Sequence, residues 1–327
     1  MKKYCLILKR LILAGIIVFV AANLFCLFYY NLPARTVNKS GTTDYKWNAG
    51  AYFCRATEGL GYGRINDDGF NNVQNLKDLE KIDILLMGSS HLEGFNVPQK
   101  AIISEVMNQR SELMSYNIGI SGHNLMTCFD NLDAALAVYK PQKYLIFETM
   151  TVSFYSGQIN DFLQGTRQKE SAFDSALVNL AQRIPVLRLL STQLNNLNKN
   201  EAAAGGASGP ISDEALLNEA LSNVKASCEQ YGVQPIIFYH PLLTVTDAGI
   251  IENTNAEDKA LFARLCAKNG ILFDDMTATF IEHYELTREL PHGFINTSIG
   301  SGHLNKTGHR LIAEELLAVI EREEATK

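Results

Sequence analysis

Twenty residues from Leu11 to Tyr30, "LILAGIIVFVAANLFCLFYY", carry no charge. At about 1.5 Å of rise per residue such a stretch makes a helix of roughly 30 Å, the thickness of a bilayer core. Lys2, Lys3, Lys9 and Arg10 precede it, and the bias of basic residues toward the cytoplasmic side places the N-terminus there and the remainder across the membrane. No small-x-small cleavage site follows, so the stretch is read as an uncleaved anchor covering residues 1–30. Residues 31–80 keep neither a helical nor an alternating period and are rich in Asn, Gly, Asp and aromatics; they are read as a stalk and loop-rich lead-in packed on the main domain.

From Lys81 the pattern changes. "IDILLM" (82–87), "LMSYNIG" (113–119), "KYLIFETM" (143–150), "VQPIIFYH" (233–240) and "ILFDDM" (271–276) are short apolar runs of the kind that form buried strands. Between them lie helical patterns at 98–110, 125–139, 212–232 and 256–270, the third capped by Ser212, and a last helix from about 306 to 321 follows Asn305. This alternation predicts a parallel five-stranded sheet covered by helices on both faces over residues 81–327. Residues 151–210, with an amphipathic segment broken at Pro185 and the linker "NKNEAAAGGASGP", interrupt it as a helical insertion.

Composition narrows the function classes. At 327 residues, 46% hydrophobic and 20% charged, the chain can bury a full core. Of 29 basic and 35 acidic side chains the first 30 residues hold 4 and none, leaving 25 against 35 beyond the anchor. That acidic balance argues against a nucleic-acid partner. The six cysteines form no CxxC pair, and His283, His292 and His309 lack ligand spacing with any Cys or carboxylate pair, so neither a metal nor another cofactor is expected.

Chemistry in an open α/β sheet gathers at the carboxyl ends of the strands. Three polar clusters fall there: "GSSHLEGF" (88–95), "YNIGISGHN" (116–124) and "GSGHLNKTGH" (300–309). A serine hydroxyl needs a histidine to take its proton and N–H groups to hold the oxyanion that forms. Ser90 sits in a Gly-containing strand-to-helix turn, Gly122 can bring a second N–H to the same edge, and His303 can reach back over it before the last helix. His240, at the end of a strand, is the rival base.

These blocks resemble, in order, those of the SGNH/GDSL hydrolases. "LLMGSSH" is similar to the nucleophile block, "NIGISGHN" to the block whose Gly is an oxyanion donor, and "GHLNKTGH" to the block bearing the base. The resemblance implies a flavodoxin-like three-layer α/β/α sandwich, with Ser90 as nucleophile, Gly122 and the N–H of Ser90 as oxyanion donors, and His303 as general base. Two acids are replaced: Ser89 stands where the family has Asp, and so does Gly300, three residues before His303. The third block, Gly-x-Asn-Asp, is missing after "KYLIFE", the nearest approach being "GQIND" (157–161). Thr149 or Thr151 is then the substitute donor, and a carbonyl, Ser301, Asp274 or Asp275 the substitute orienter. His91, Glu93 and His123 are expected to support the site or touch substrate, against the simpler readings of turn and surface residues.

The resemblance thus points to a serine esterase or O-acyltransferase of the cell membrane, its catalytic domain extracytoplasmic. Its substrate would be a small ester or an acylated envelope glycan, and other envelope-modification proteins are possible partners. The alternative is a catalytically inactive binding or assembly module of the same fold.

Overall fold

In a computed structural model, residues 2–37, 43–154, 156–164, 184–191, 213–247, 249–252 and 254–326 are described. Most of the 151–210 insertion, its Ala/Gly linker and Ser212 lie outside them.

The central sheet has five strands: β1 (Ile84–Met87), β2 (Ser115–Asn117), β3 (Tyr144–Thr149), β4 (Gln234–Tyr239) and β5 (Leu272–Asp275). Their spatial order is β5-β4-β3-β1-β2 and every pairing is parallel. Read from the other edge this is 2-1-3-4-5, the flavodoxin-like winding. The expected fold class is therefore present in this chain's own topology.

Strand pleating explains why both faces must be covered. Leu85, Met87, Leu145 and Phe147 join one core with the helices Leu125–Asp130, Leu132–Tyr139, Glu214–Gln230 and Ala256–Lys268. Ile84, Leu86, Tyr144 and Ile146, on the alternate positions, join a second core with Ile103–Arg110, Thr277–Thr287 and Lys306–Ala325. The single helix expected at 125–139 is two, broken at Asn131. Asp213, rather than Ser212, caps Glu214–Gln230 by accepting from the Leu216 N–H. Asn305 caps the last helix as expected.

Among the described residues, one helix is long and apolar enough to cross a membrane, Tyr4–Tyr29 within Lys2–Tyr29. It does not lead into an irregular stalk. Tyr30–Asn31 pairs antiparallel with Tyr52–Arg55, which pairs with Gly61–Arg64, and Arg35–Val37 pairs with Thr43–Trp47. Trp47, Phe53, Ile65 and Phe95 form a third small core beneath this layer. The polar, Gly-rich composition of 31–80 hides these strands because they are two to five residues long, too short to display a period.

Candidate active site

The turn that carries Ser90 begins at Gly88, immediately after β1. Its backbone runs against Glu148 of β3, where a Cβ would lie 2.6 Å from the Glu148 Cβ. A short helix, Ser90–Glu93, follows, with Ser89 as its N-cap. The Ser89 Oγ accepts from the His91 N–H at 3.2 Å, and the Ser89 N–H donates to Glu148 Oε2 at 2.6 Å. Ser89, which stands in the place of an acid, thus ties the turn to β3, and leaves Ser90 at the first helical position.

His303 arrives from a hairpin that the sequence pattern did not reveal, His292–Gly293 paired with Ile299–Leu304. Its Nε2 accepts from Ser90 Oγ at 2.9 Å. Its Nδ1–H donates to Glu58 Oε2 at 2.8 Å, and its backbone N–H donates to Glu58 Oε1 at 2.8 Å. A carboxylate can only accept at Nδ1, which fixes the tautomer and leaves Nε2 as the proton acceptor for serine. Burial raises the Glu58 carboxyl, but the bonds and charge of His303, with Arg55 3.1 Å away, outweigh it and hold the group at about 2.

Glu58 is the residue sequence reasoning missed. It lies between the strands Tyr52–Arg55 and Gly61–Arg64, far upstream of the sheet. Its loop is fixed from several sides: Asn96 Nδ2 donates to the Glu58 carbonyl at 3.0 Å, and Asn296 bridges Ala56 and Gly59 with bonds of 2.9 to 3.0 Å. Asn296 therefore spends its amide on this loop. The signal in the sequence is the Arg55–Glu58 pair in "RATEG", set between two aromatic- and Gly-containing runs.

The other expected orienters are placed elsewhere. Ser301 is exposed and no hydrogen bond links it to His303. Asp275 accepts from the Thr277 N–H and pairs with Lys259. Asp274, its carboxyl raised to about 6 by burial and then by the charge of Glu315, lies on the edge strand β5. The roles expected of these three fail because Glu58 occupies the Nδ1 side of the ring.

Thr149 does not offer its hydroxyl to an oxyanion. The Oγ1–H donates to the Thr151 carbonyl at 2.6 Å in a side-chain turn closing the strand end, and the group is buried. Thr151 is spent likewise, donating to the Ser153 carbonyl. "GQIND" falls on the helix Ser156–Gln164, with Ile159 turned into the core.

Glu93 is wholly buried and supports the site rather than facing substrate. It accepts from Trp47 Nε1 at 2.6 Å and from both the hydroxyl and, at 3.1 Å, the N–H of Ser121. Arg35 donates to the Ser121 carbonyl from the other side at 3.2 Å. The loop is thus clamped one residue before Gly122, whose φ of +93° suits glycine. Burial raises the Glu93 carboxyl despite the donors from Ser121 and Trp47 and the nearby Arg35. His123 is half-buried and lines a separate cavity of 270 Å³ with Met87, Gly88, Ile118 and Ile120.

His240 is no rival base. It is fully buried, with Nε2–H donating to Glu148 Oε1 at 2.7 Å and Nδ1 accepting from His292 Nε2–H at 3.1 Å. His91 stacks on His303, ring centroids 4.9 Å apart, and its Nδ1 accepts from the Leu304 N–H at 3.3 Å. His91, His240 and His292 do bring ring nitrogens within 4.8 Å, a grouping their spacing in sequence did not suggest. Two of those nitrogens, His240 Nδ1 and His292 Nε2, are hydrogen-bonded to each other. Burial holds His91 and His292 well below the ordinary imidazole range, helped by neighbouring imidazoles. It also raises the Glu148 carboxyl, but the hydrogen bonds from His240 and the Ser89 N–H, with the neighbouring imidazoles, prevail and hold it at about 2.

No family model matches the chain, and no curated protein does. Solved structures similar to it are SGNH/GDSL lipolytic proteins and esterases. A G-D-S-L family member from Veillonella parvula is 17% identical, covering 74% of this chain and 99% of its own, with a TM-score of 0.39. The psychrotrophic esterase EstA from a Pseudoalteromonas species is 14% identical over 74% and 98%, with a TM-score of 0.39. An acetyl xylan esterase is 10% identical over 73% and 100%, with a TM-score of 0.42. At such identities and TM-scores the likeness says nothing of this chain's chemistry, which rests on its own distances.

Proposed function

We propose that this protein is a membrane-anchored serine esterase, and that Ser90, His303 and Glu58 are its catalytic triad. The observation that carries this reading is the unbroken chain of hydrogen bonds from Ser90 Oγ through His303 to Glu58, at 2.9 and 2.8 Å. Ser90 Oγ attacks the ester carbonyl while His303 Nε2 takes its proton, and Glu58 steadies the imidazolium that forms. The N–H of Ser90, in the first turn of its helix and so without an intrahelical acceptor, and that of Gly122 receive the oxyanion. His303 then protonates the leaving alcohol, and a water or a second hydroxyl resolves the acyl-enzyme.

Resolution by a sugar hydroxyl would make the protein an O-acyltransferase. The resemblance of its sequence blocks supports an acyl ester of an envelope glycan as substrate. The basic N-terminus supports an orientation with this domain outside the cytoplasm. The inactive-module alternative drew its force from the two missing acids; the hydrogen bonds of Glu58 to His303 support the catalytic reading against it. Hydrolysis of 4-nitrophenyl acetate by the purified full chain tests the reading. Turnover that Ser90→Ala abolishes is expected; equal turnover by the variant overturns it.

A further inference from the structure

A cavity of 720 Å³ near the site is apolar along much of its wall, with Leu60, Tyr62, Val97, Leu290, Phe294 and Ile299 among its lining. It begins at Gly59, the residue after Glu58, and runs beside the hairpin that carries His303. Its lip is unusually apolar for a water-facing surface: Leu60 is 56% exposed, Ile295 95% and Ile299 67%. Arg288 and Lys306 stand at the same cavity, as does Glu289, which accepts from Thr307 Oγ1 at 2.7 Å.

The position of this lip follows from the strand pairings. The apolar helix passes without a linker into Tyr30–Asn31, where Asn31 pairs with Cys54 and Cys54 with Tyr62. The Ala56 N–H donates to the Tyr29 carbonyl at 2.8 Å, and Cys54 Sγ to the Phe28 carbonyl at 2.9 Å. With strands about 4.8 Å apart, Tyr62 lies roughly 10 Å to the side of the helix end. Glu58, three residues beyond Arg55, lies within about 16 Å of Tyr30, since a residue spans at most about 3.6 Å. The headgroup layer on one side of a bilayer is about 5 to 8 Å thick. The site is thereby held within about 16 Å of the end of the apolar helix.

We propose that this cavity receives the hydrocarbon tail of a lipid-carried ester drawn from the bilayer, with Arg288 and Lys306 facing the lipid's anionic headgroup. The inference rests on the esterase reading for what happens to the ester, but the cavity's occupancy by a tail is measurable without turnover. A tail entering the cavity from the bilayer passes from one apolar environment to another, so the transfer carries little cost. A charged side chain on the lip opposes that transfer directly.

The test uses the full chain carrying Ser90→Ala, reconstituted in nanodiscs of phosphatidylethanolamine doped with a phosphatidylglycerol whose acyl chain ends in a diazirine. After irradiation, cross-links are mapped by mass spectrometry. Adducts at Leu60, Phe294, Ile295 or Ile299, reduced at least tenfold by a further Ile295→Asp, are expected, with the anchor's own adducts unchanged as an internal standard. Adducts confined to the anchor helix, or insensitive to Ile295→Asp in a variant that melts like its parent, overturn the proposal. Failure of a fluorophosphonate to label Ser90 in the unmutated chain would instead count against the esterase reading and leave the tail site standing.

Discussion

Replacing Glu58 with Gln keeps the shape of the side chain and removes what the site uses. The carboxylate accepts twice from His303, at Nδ1 and at the backbone N–H, and also pairs with Arg55. An amide has one acceptor oxygen; turned to either donor, it sets its NH2 against the other. The imidazole is then free to take the tautomer with the proton on Nε2, which cannot receive one from Ser90. In a related triad, exchange of the orienting acid for its amide costs about 10⁴ in rate. At 1.36 kcal/mol per tenfold, this is about 5.4 kcal/mol of transition-state stabilisation. The assay is kcat/KM for 4-nitrophenyl acetate with the full chain in detergent, alongside the second-order rate of fluorophosphonate labelling at Ser90. Both are expected to fall by about 10³ to 10⁴ with the melting temperature little changed. Activity within threefold of the parent would refute the assignment of Glu58 as the acid of a triad.

Three further outcomes follow from the same geometry. Gly88→Ala places a methyl 2.6 Å from the Glu148 Cβ, an atom fixed to the central strand β3; a stability loss of about 1 to 3 kcal/mol by urea unfolding is expected, and a loss within a few tenths would contradict the close approach. Thr149→Val and Ser301→Ala each leave kcat within about threefold, because neither hydroxyl serves Ser90 or His303; a drop of about 10² in either, the size of a lost oxyanion donor, would show otherwise. His91, His292 and, at about 3, His309 are held below the imidazole value of 6.5 first by burial, so stability is lost as pH falls below that value. Glu58 and Glu148, both held at about 2, add a second loss between about 4.5 and 2; His309→Gln should flatten the first limb of a melting-temperature profile, and an unchanged limb would contradict its burial in the neutral form.

Much of this was legible in the sequence, for particular reasons. β1, β3 and β4 are continuous apolar runs because they are buried on both faces, so their ends, and with the end of β1 the place of Ser90, could be located. His303 could be named because Asn305 marks the start of the last helix two residues later. Glu58 could not, because a triad acid is defined by its bond to the histidine and not by its distance along the chain, 245 residues here. The hairpin Ile299–Leu304 was equally hidden, its residues mostly exposed and two of them glycines with positive φ. Buried polar residues misled in the same manner: Glu93 and His240 sit at the right strand ends but face inward, toward Ser121 and Glu148, and sequence position does not show which way a side chain turns.

Labelling of the purified full chain with a fluorophosphonate, followed by peptide mapping, tests the central claim most directly. A single adduct on Ser90, lost in Ser90→Ala and slowed by orders of magnitude in His303→Ala, is the predicted result. An unlabelled chain, or an adduct as abundant in His303→Ala as in the parent, would contradict it.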